Sequence, residues 1–262
     1  MSRKEIIAAC IAFLAVSGCV SGKLPEGVAR PAAHPADILQ RIAIPDSGDV
    51  MRATARISFI SPEGEYSRKM ALVLRMPSSL RVEAIPLFGP TDFFLSANEE
   101  NLKVFFPGEG KFYVGAATRK NLSLFFRVPL APADVVPLLV GVPPRLAAER
   151  LSGHAEGELY RIDIESGEGR RSLWVDPGDY TVARIEDGEG NSPLWSAAFE
   201  DRVAVSGTSF PRRIRIETHG PEGVRVDIRY LDLDVASTGD AATFDLPIPS
   251  GIMPVPMERC YP

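Results

Sequence analysis

From residue 51 onward the chain is built of short segments in which apolar and polar residues alternate, each closed by a cluster of turn formers. A period of two sends successive side chains to opposite faces of a strand, so such segments predict a sheet with one face on the core. The pattern runs through 51–61, 66–76, 79–85, 91–97, 102–107 and 111–114, and again through 158–166, 171–176, 182–187, 192–205, 212–218 and 224–235. The breaks are turn chemistry: Pro62-Glu63-Gly64, Met76-Pro77-Ser78, Gly108-Glu109-Gly110, Asp176-Pro177-Gly178-Asp179 and Gly220-Pro221-Glu222-Gly223 among them. Links this short join antiparallel neighbours, which gives a meander. About eleven or twelve strands are too many for one flat layer. The expected fold is mainly β, of the α+β class: a curled antiparallel sheet forming a half-barrel of about eleven strands, with short helices packed in its mouth.

Two stretches depart from the alternation. At 36–44, Ile38, Leu39 and Ile42 share a helical face. In 121–144, Leu122, Leu124, Phe125 and Phe126, then Val135, Val136, Leu138 and Leu139, recur at helical spacing. Pro132 and Asp134 suit a first turn, and Gly141 with Pro143-Pro144 ends the segment. Pro137 falls inside it, near enough to the start to be tolerated.

The N-terminus sets the compartment. Arg3 and Lys4 precede an apolar run from Ile6 to Val16, and small residues lead into Cys19 as Val16-Ser17-Gly18-Cys19. The run is shorter than the roughly 20 residues a membrane-crossing helix needs. The order resembles a bacterial lipoprotein signal peptide, with three of the four lipobox positions matched. The resemblance implies cleavage before Cys19 and acylation of that cysteine, which would anchor the protein to a membrane. Val20 follows the cysteine in place of aspartate, a context that the lipoprotein class associates with the outer membrane. Residues 1–18 are thus expected to be the signal peptide, the Gly-, Pro- and Ala-rich 19–36 a flexible tether, 37–246 the half-barrel, and 247–262 a Pro-rich, extended tail along the barrel edge.

The chain carries −5 at neutral pH, and −6 once a leader of net +1 is removed. No basic patch suggests nucleic acid. With Cys10 in the leader and Cys19 acylated, Cys260 has no intramolecular partner, so a disulfide framework is excluded. His34, His154 and His219 are isolated and there is no Gly-x-Ser-x-Gly elbow, so no catalytic residue, metal ligand or cofactor is assigned. Asp232 and Asp234, like Asp163 and Glu165, alternate with apolar residues, the pattern of a solvated strand face.

Three passages resemble the LolA/LolB family, and within it the LolB-like outer-membrane lipoproteins. The first is Leu80-Arg81-Val82-Glu83-Ala84-Ile85-Pro86-Leu87-Phe88-Gly89-Pro90-Thr91, a strand, an exposed-looking loop and a second strand. The second is Val128-Pro129-Leu130 followed by Leu138-Leu139-Val140-Gly141-Val142-Pro143-Pro144, with Leu138-Leu139 where the family carries tryptophan. The third is Phe210-Pro211-Arg212-Arg213-Ile214-Arg215-Ile216 with Val226-Asp227-Ile228-Arg229, resembling the closing strands. The resemblance implies a hydrophobic cavity that receives the acyl chains of lipoproteins at the periplasmic face of the outer membrane, a periplasmic LolA-like carrier as partner, and a lipid-transfer loop in which Leu87 is the positional match and Phe88 an added candidate.

Aromatic residues crowd the first half of the sheet, and acyl pockets are lined by such side chains. Phe94, Val104, Phe106, Phe112, Phe125 and Leu138 are the candidate cavity lining. The same residues would serve as plain core, and Leu87 with Phe88 as the closure of an apolar strand end. The expected function is non-enzymatic acyl-chain binding that aids lipoprotein sorting or insertion; the alternative is an envelope scaffold that uses the fold without a ligand.

Overall fold

The computed structural model describes residues 34–260 apart from 127, 168, 190–191, 221–222 and 238–239. The expected leader, Cys19 and most of the tether lie outside the described residues. No helix among those described is long and apolar enough to cross a membrane.

Helix α1 (Pro35–Arg41) precedes six strands: β1 (Val50–Ser61), β2 (Gly64–Arg75), β3 (Ser79–Ile85), β4 (Phe94–Ala97), β5 (Asn101–Phe106) and β6 (Lys111–Ala116). Helices α2 (Arg119–Phe126) and α3 (Pro132–Val140) follow. Then come β7 (Arg150–Glu156), β8 (Leu159–Ser166), β9 (Gly169–Val175), β10 (Val182–Glu189), β11 (Ser192–Val205), β12 (Thr208–Thr218), β13 (Arg225–Ala236) and the short β14 (Pro254–Pro256). All belong to one curled, unclosed sheet in the order β14-β6-β5-β4-β3-β2-β1-β13-β12-β11-β10-β9-β8-β7. The two meanders meet where β1 pairs β13, from Val50 opposite Ala236 to Ile60 opposite Arg225.

Two strands escaped the alternation pattern, and β4 is shorter than expected. β7 has only Leu151 as a large apolar residue; pairing with β8 holds it, from Arg150 opposite Glu165 to Glu156 opposite Leu159. β14 consists of Pro-Val-Pro and pairs parallel with the edge strand β6. Prolines lack the N–H a central strand needs, so such a segment fits only at an edge. β4 begins at Phe94 because residues 86–93 form a loop, tied to β3 by the Ala84 N–H donating to the Phe93 carbonyl.

The concave face holds the core and the helices. Ile57, Leu72, Val82, Leu95 and Val104 face it from successive strands, and Val136, Leu138 and Leu139 of α3 pack upon it. α3 starts with Pro132 and a first-turn bond from the Ala131 N–H to the Asp134 carboxylate at 3.1 Å. It ends at Gly141, whose φ of 80° is costly for any residue with a Cβ. A Cβ there would also lie 2.6 Å from Pro211 Cδ. The Tyr230 hydroxyl donates to the Leu139 carbonyl at 2.8 Å, pinning the helix end to β13.

The convex face is crossed by residues 240–246. Arg81, Ser96 and Lys103 are cross-strand neighbours on β3, β4 and β5. Arg81 donates to the carbonyls of Thr243 and Asp245, Ser96 to that of Phe244, and Lys103 pairs with Asp245 at 2.7 Å. Phe244 and Leu246 are buried there. Lys103 holds the Asp245 carboxyl below its ordinary range, by hydrogen bond and by charge.

Candidate functional site

A cleft of about 830 Å³ opens where the β1–β2 hairpin, loop 86–93, the end of β5 and helix α2 converge. Its floor is Phe59, Met70, Phe93, Phe106, Leu124, Phe125, Phe126 and Val224. Register decides which rings face it. Phe105 and Phe106 are adjacent on β5 and point to opposite faces. Phe106 contacts Phe93, Tyr113 and Phe125 at centroid distances of 5.4, 6.1 and 6.2 Å. Phe105 is paired with Phe94 on one side and Phe112 on the other. Those three rings form a separate ladder, at 6.1 and 5.6 Å, on the convex face.

Of the six residues expected to line a cavity, Phe106 and Phe125 do so. Phe94 and Phe112 do not, because they share the strand face of Phe105. Val104 and Leu138 are both fully buried in the core, sealed from the cleft. Phe59, Phe93 and Phe126 are wall residues that pattern alone did not single out. Phe93 was available from the rule that neighbours of a convex residue face inward, whereas Phe59 and Phe126 come together only through the docking of α2 on β1.

The rim is charged. Arg68 donates to both carboxylate oxygens of Asp92, at 2.5 and 2.6 Å, and ties loop 86–93 to β2. The bond from Arg68, aided by its charge, holds the Asp92 carboxyl below its ordinary value. The Arg68 guanidinium lies 5.2 Å from the Tyr66 ring centroid. Glu63, Glu65 and Glu109 complete the rim. Beside Asp92, the same loop carries Leu87 and Phe88, each 94% exposed, with Gly89 following at φ 82°. Sharing Phe59 and Phe126 with this floor is a second space of about 70 Å³, walled by apolar side chains that include Ile57, Leu72, Val82, Leu122, Leu139 and Ile228.

The remaining polar residues form supports. Asp232 and Asp234 are exposed, as a solvated strand face requires. Asp163 differs from that expectation: it is 8% exposed and accepts from Ser172 at 2.5 Å and Arg161 at 3.1 Å, with Arg170 at 3.0 Å. Burial pushes its carboxyl up, but the bonds from Ser172, Arg170 and Arg161 outweigh it, and the net position is below the ordinary value. Arg171, on the face of β9 opposite Arg170 and Ser172, donates to Asp187 and to the Pro144 carbonyl. His154 lies 3.7 Å from Glu156 and His219 lies 3.1 Å from Ser196. Among the described residues no group of three His, Cys, Asp or Glu is arranged to hold a metal ion.

No family model matches the sequence, and no curated protein matches it. Solved structures match the fold. A LolA superfamily protein from Nitrosomonas europaea superposes with a TM-score of 0.57 at 15% identity, over 82% of this chain and 99% of that one. An outer membrane lipoprotein-sorting protein domain from Vibrio parahaemolyticus gives 0.55 at 12% identity, over 80% and 94%. A DUF1329 family protein from Desulfovibrio piger gives 0.55 at 14% identity, over 80% and 94%. The described residues have the LolA/LolB-type fold.

Proposed function

We propose that this chain is a lipid-anchored lipoprotein of the outer membrane, facing the periplasm, that takes acyl chains into the aromatic-floored cleft and aids lipoprotein sorting or insertion. The observation that carries the reading is the cleft itself: about 830 Å³, floored by rings and aliphatic side chains, with Asp92 and Phe93 supplied by the loop that also bears the bare Leu87-Phe88 tip. A pocket of that size with an apolar floor suits one hydrocarbon chain, and two exposed bulky residues on an adjoining loop suit contact with a bilayer. An acylated Cys19 would keep the cleft near the membrane, and a LolA-like periplasmic carrier would be the natural donor of cargo. The chemistry is transfer of a bound molecule, with no bond made or broken.

The test is titration of a fluorescent acyl probe into the full-length protein. Saturable binding that Phe106→Ser weakens and Phe94→Ser leaves intact supports the reading, since the first ring lies in the floor and the second on the convex face. Absence of binding by the parent protein, or equal effects of the two substitutions, refutes it.

A further inference from the structure

The open cleft and the inner cavity share two wall residues, Phe59 and Phe126. Their rings stack with centroids 5.7 Å apart and planes 24° from parallel. Phe93 meets Phe126 edge-on at 6.1 Å. The two rings therefore stand between a cleft with a charged rim and a space walled by apolar side chains alone.

The two sides of the partition differ in freedom. Phe59 sits in β1 with strands on both sides, opposite Tyr66 of β2 and Val226 of β13. Its backbone is fixed by two ladders. Phe126 is the last residue of α2, half-buried, where helix hydrogen bonding ends and a side chain of partial exposure changes rotamer readily. Both rings are half-buried, and they differ in the backbone that carries them, held by two ladders at Phe59 and by the last turn of α2 at Phe126. Beyond them, the space of about 70 Å³ is lined by apolar side chains and offers no polar group to hold a water, which suits a short stretch of hydrocarbon.

We propose that Phe126 is a gate closing on Phe59, that the methyl end of an unbranched acyl chain threads past it into the inner cavity, and that the pair thereby sets the chain length the protein prefers. The proposal rests on the acyl-binding reading above and adds to it a residue that determines specificity. A chain reaching the gate gains contact only by moving Phe126 aside, and once the small cavity is full, further methylenes remain in solvent.

The test is a homologous series of saturated monoacylglycerols, lengthened two carbons at a time, titrated into the full-length protein. Affinity should rise about fourfold per buried methylene and then level off. Phe126→Ala, which joins the two cavities, should move the levelling point to longer chains with little change for the shortest. Phe126→Trp keeps the wall packed and should move it to shorter chains, so the proposal stays testable even where the alanine variant folds poorly. A chain branched at its methyl end should bind the parent protein like a shorter linear one. Binding whose length profile neither substitution moves overturns the gate alone. No binding by parent and variants alike overturns the gate together with the acyl-binding reading.

Discussion

Tyr230→Phe deletes one oxygen, and the structure specifies what that oxygen does. Tyr230 is 1% exposed and its hydroxyl donates to the Leu139 carbonyl at 2.8 Å. The carbonyls at the end of α3 need partners. Leu138 accepts from the Gly141 N–H, Pro137 from the Val142 N–H, and Leu139 from Tyr230. Removing the hydroxyl leaves a buried acceptor without its partner, at a cost of ~1–3 kcal/mol, about 2 at the middle of the range. At about 2–4 °C per kcal/mol for a domain of this size, the melting temperature should fall by about 4–8 °C.

The same oxygen predicts a pH signature. Burial pushes the Tyr230 phenol well above its ordinary value of 10.0. The folded state therefore keeps the proton that the unfolded state gives up, so the tyrosine's contribution is complete below pH 10 and is lost as pH rises beyond it. One unit above the ordinary value that loss is about 1.4 kcal/mol, and it falls on the parent protein alone. Urea unfolding near neutral pH should give a gap of about 2 kcal/mol between parent and Tyr230→Phe at equal m-values, narrowing to ~0.6 kcal/mol at about pH 11. A gap under 0.5 kcal/mol near neutral pH means that water reaches the Leu139 carbonyl. A gap that does not narrow means the phenol is not sealed. Either result refutes the picture of α3 docked through a buried hydroxyl.

Replacing Leu87 and Phe88 together by Asp should leave stability within about 0.5 kcal/mol, since both side chains already stand in solvent, while binding to phospholipid vesicles falls on the order of 100-fold or more; unchanged vesicle sedimentation would rule the loop out as a membrane contact. Asp163→Asn should cost about 1–3 kcal/mol near neutral pH by weakening the Arg161, Arg170 and Ser172 bonds. Because the Asp163 carboxyl is held below its ordinary 3.8, its contribution is present above that pH and disappears as pH falls through the folded value, so the parent and the variant should converge in acid unfolding curves.

Much of the fold was legible because a period of two is a strong constraint wherever one face is buried. β11 runs from Ser192 to Val205 as its pattern required, and β3 from Ser79 to Ile85 likewise. β7 and β14 were illegible for a shared reason: neither has an apolar row of its own, and each exists because a neighbouring strand offers unpaired backbone groups. At the cleft, the alternation on β5 correctly required Phe105 and Phe106 to diverge, but which of them looked inward depended on register with β4 and β6. Choosing Phe94 and Phe112 as inward residues was a one-residue error in phase, and a slip of one residue exchanges the two faces. The Phe59–Phe126 contact joins residues far apart in sequence and carries no local signal.

Why the cleft lies in this half of the sheet follows from the side chains that meet there. In the far half, Ile162, Leu173, Val175 and Ile185 are fully buried, branched aliphatic chains that interlock closely. Arg171, with Asp187 and the Pro144 carbonyl, ties the segment after α3 down at the border. In the near half, α2 rests on rings. Phe93, Phe106, Tyr113, Phe125, Phe126 and Phe59 form an unbroken chain of contacts with centroids 5.4 to 6.2 Å apart. The rings meet stacked, tilted and edge-on, the geometries aromatic pairs prefer, and they line the apolar floor of the cleft. One curled sheet thus closes its far half with aliphatics and lines the cleft of its near half with aromatics, and the loop that supplies Asp92 and Phe93 to that cleft also carries the exposed Leu87 and Phe88.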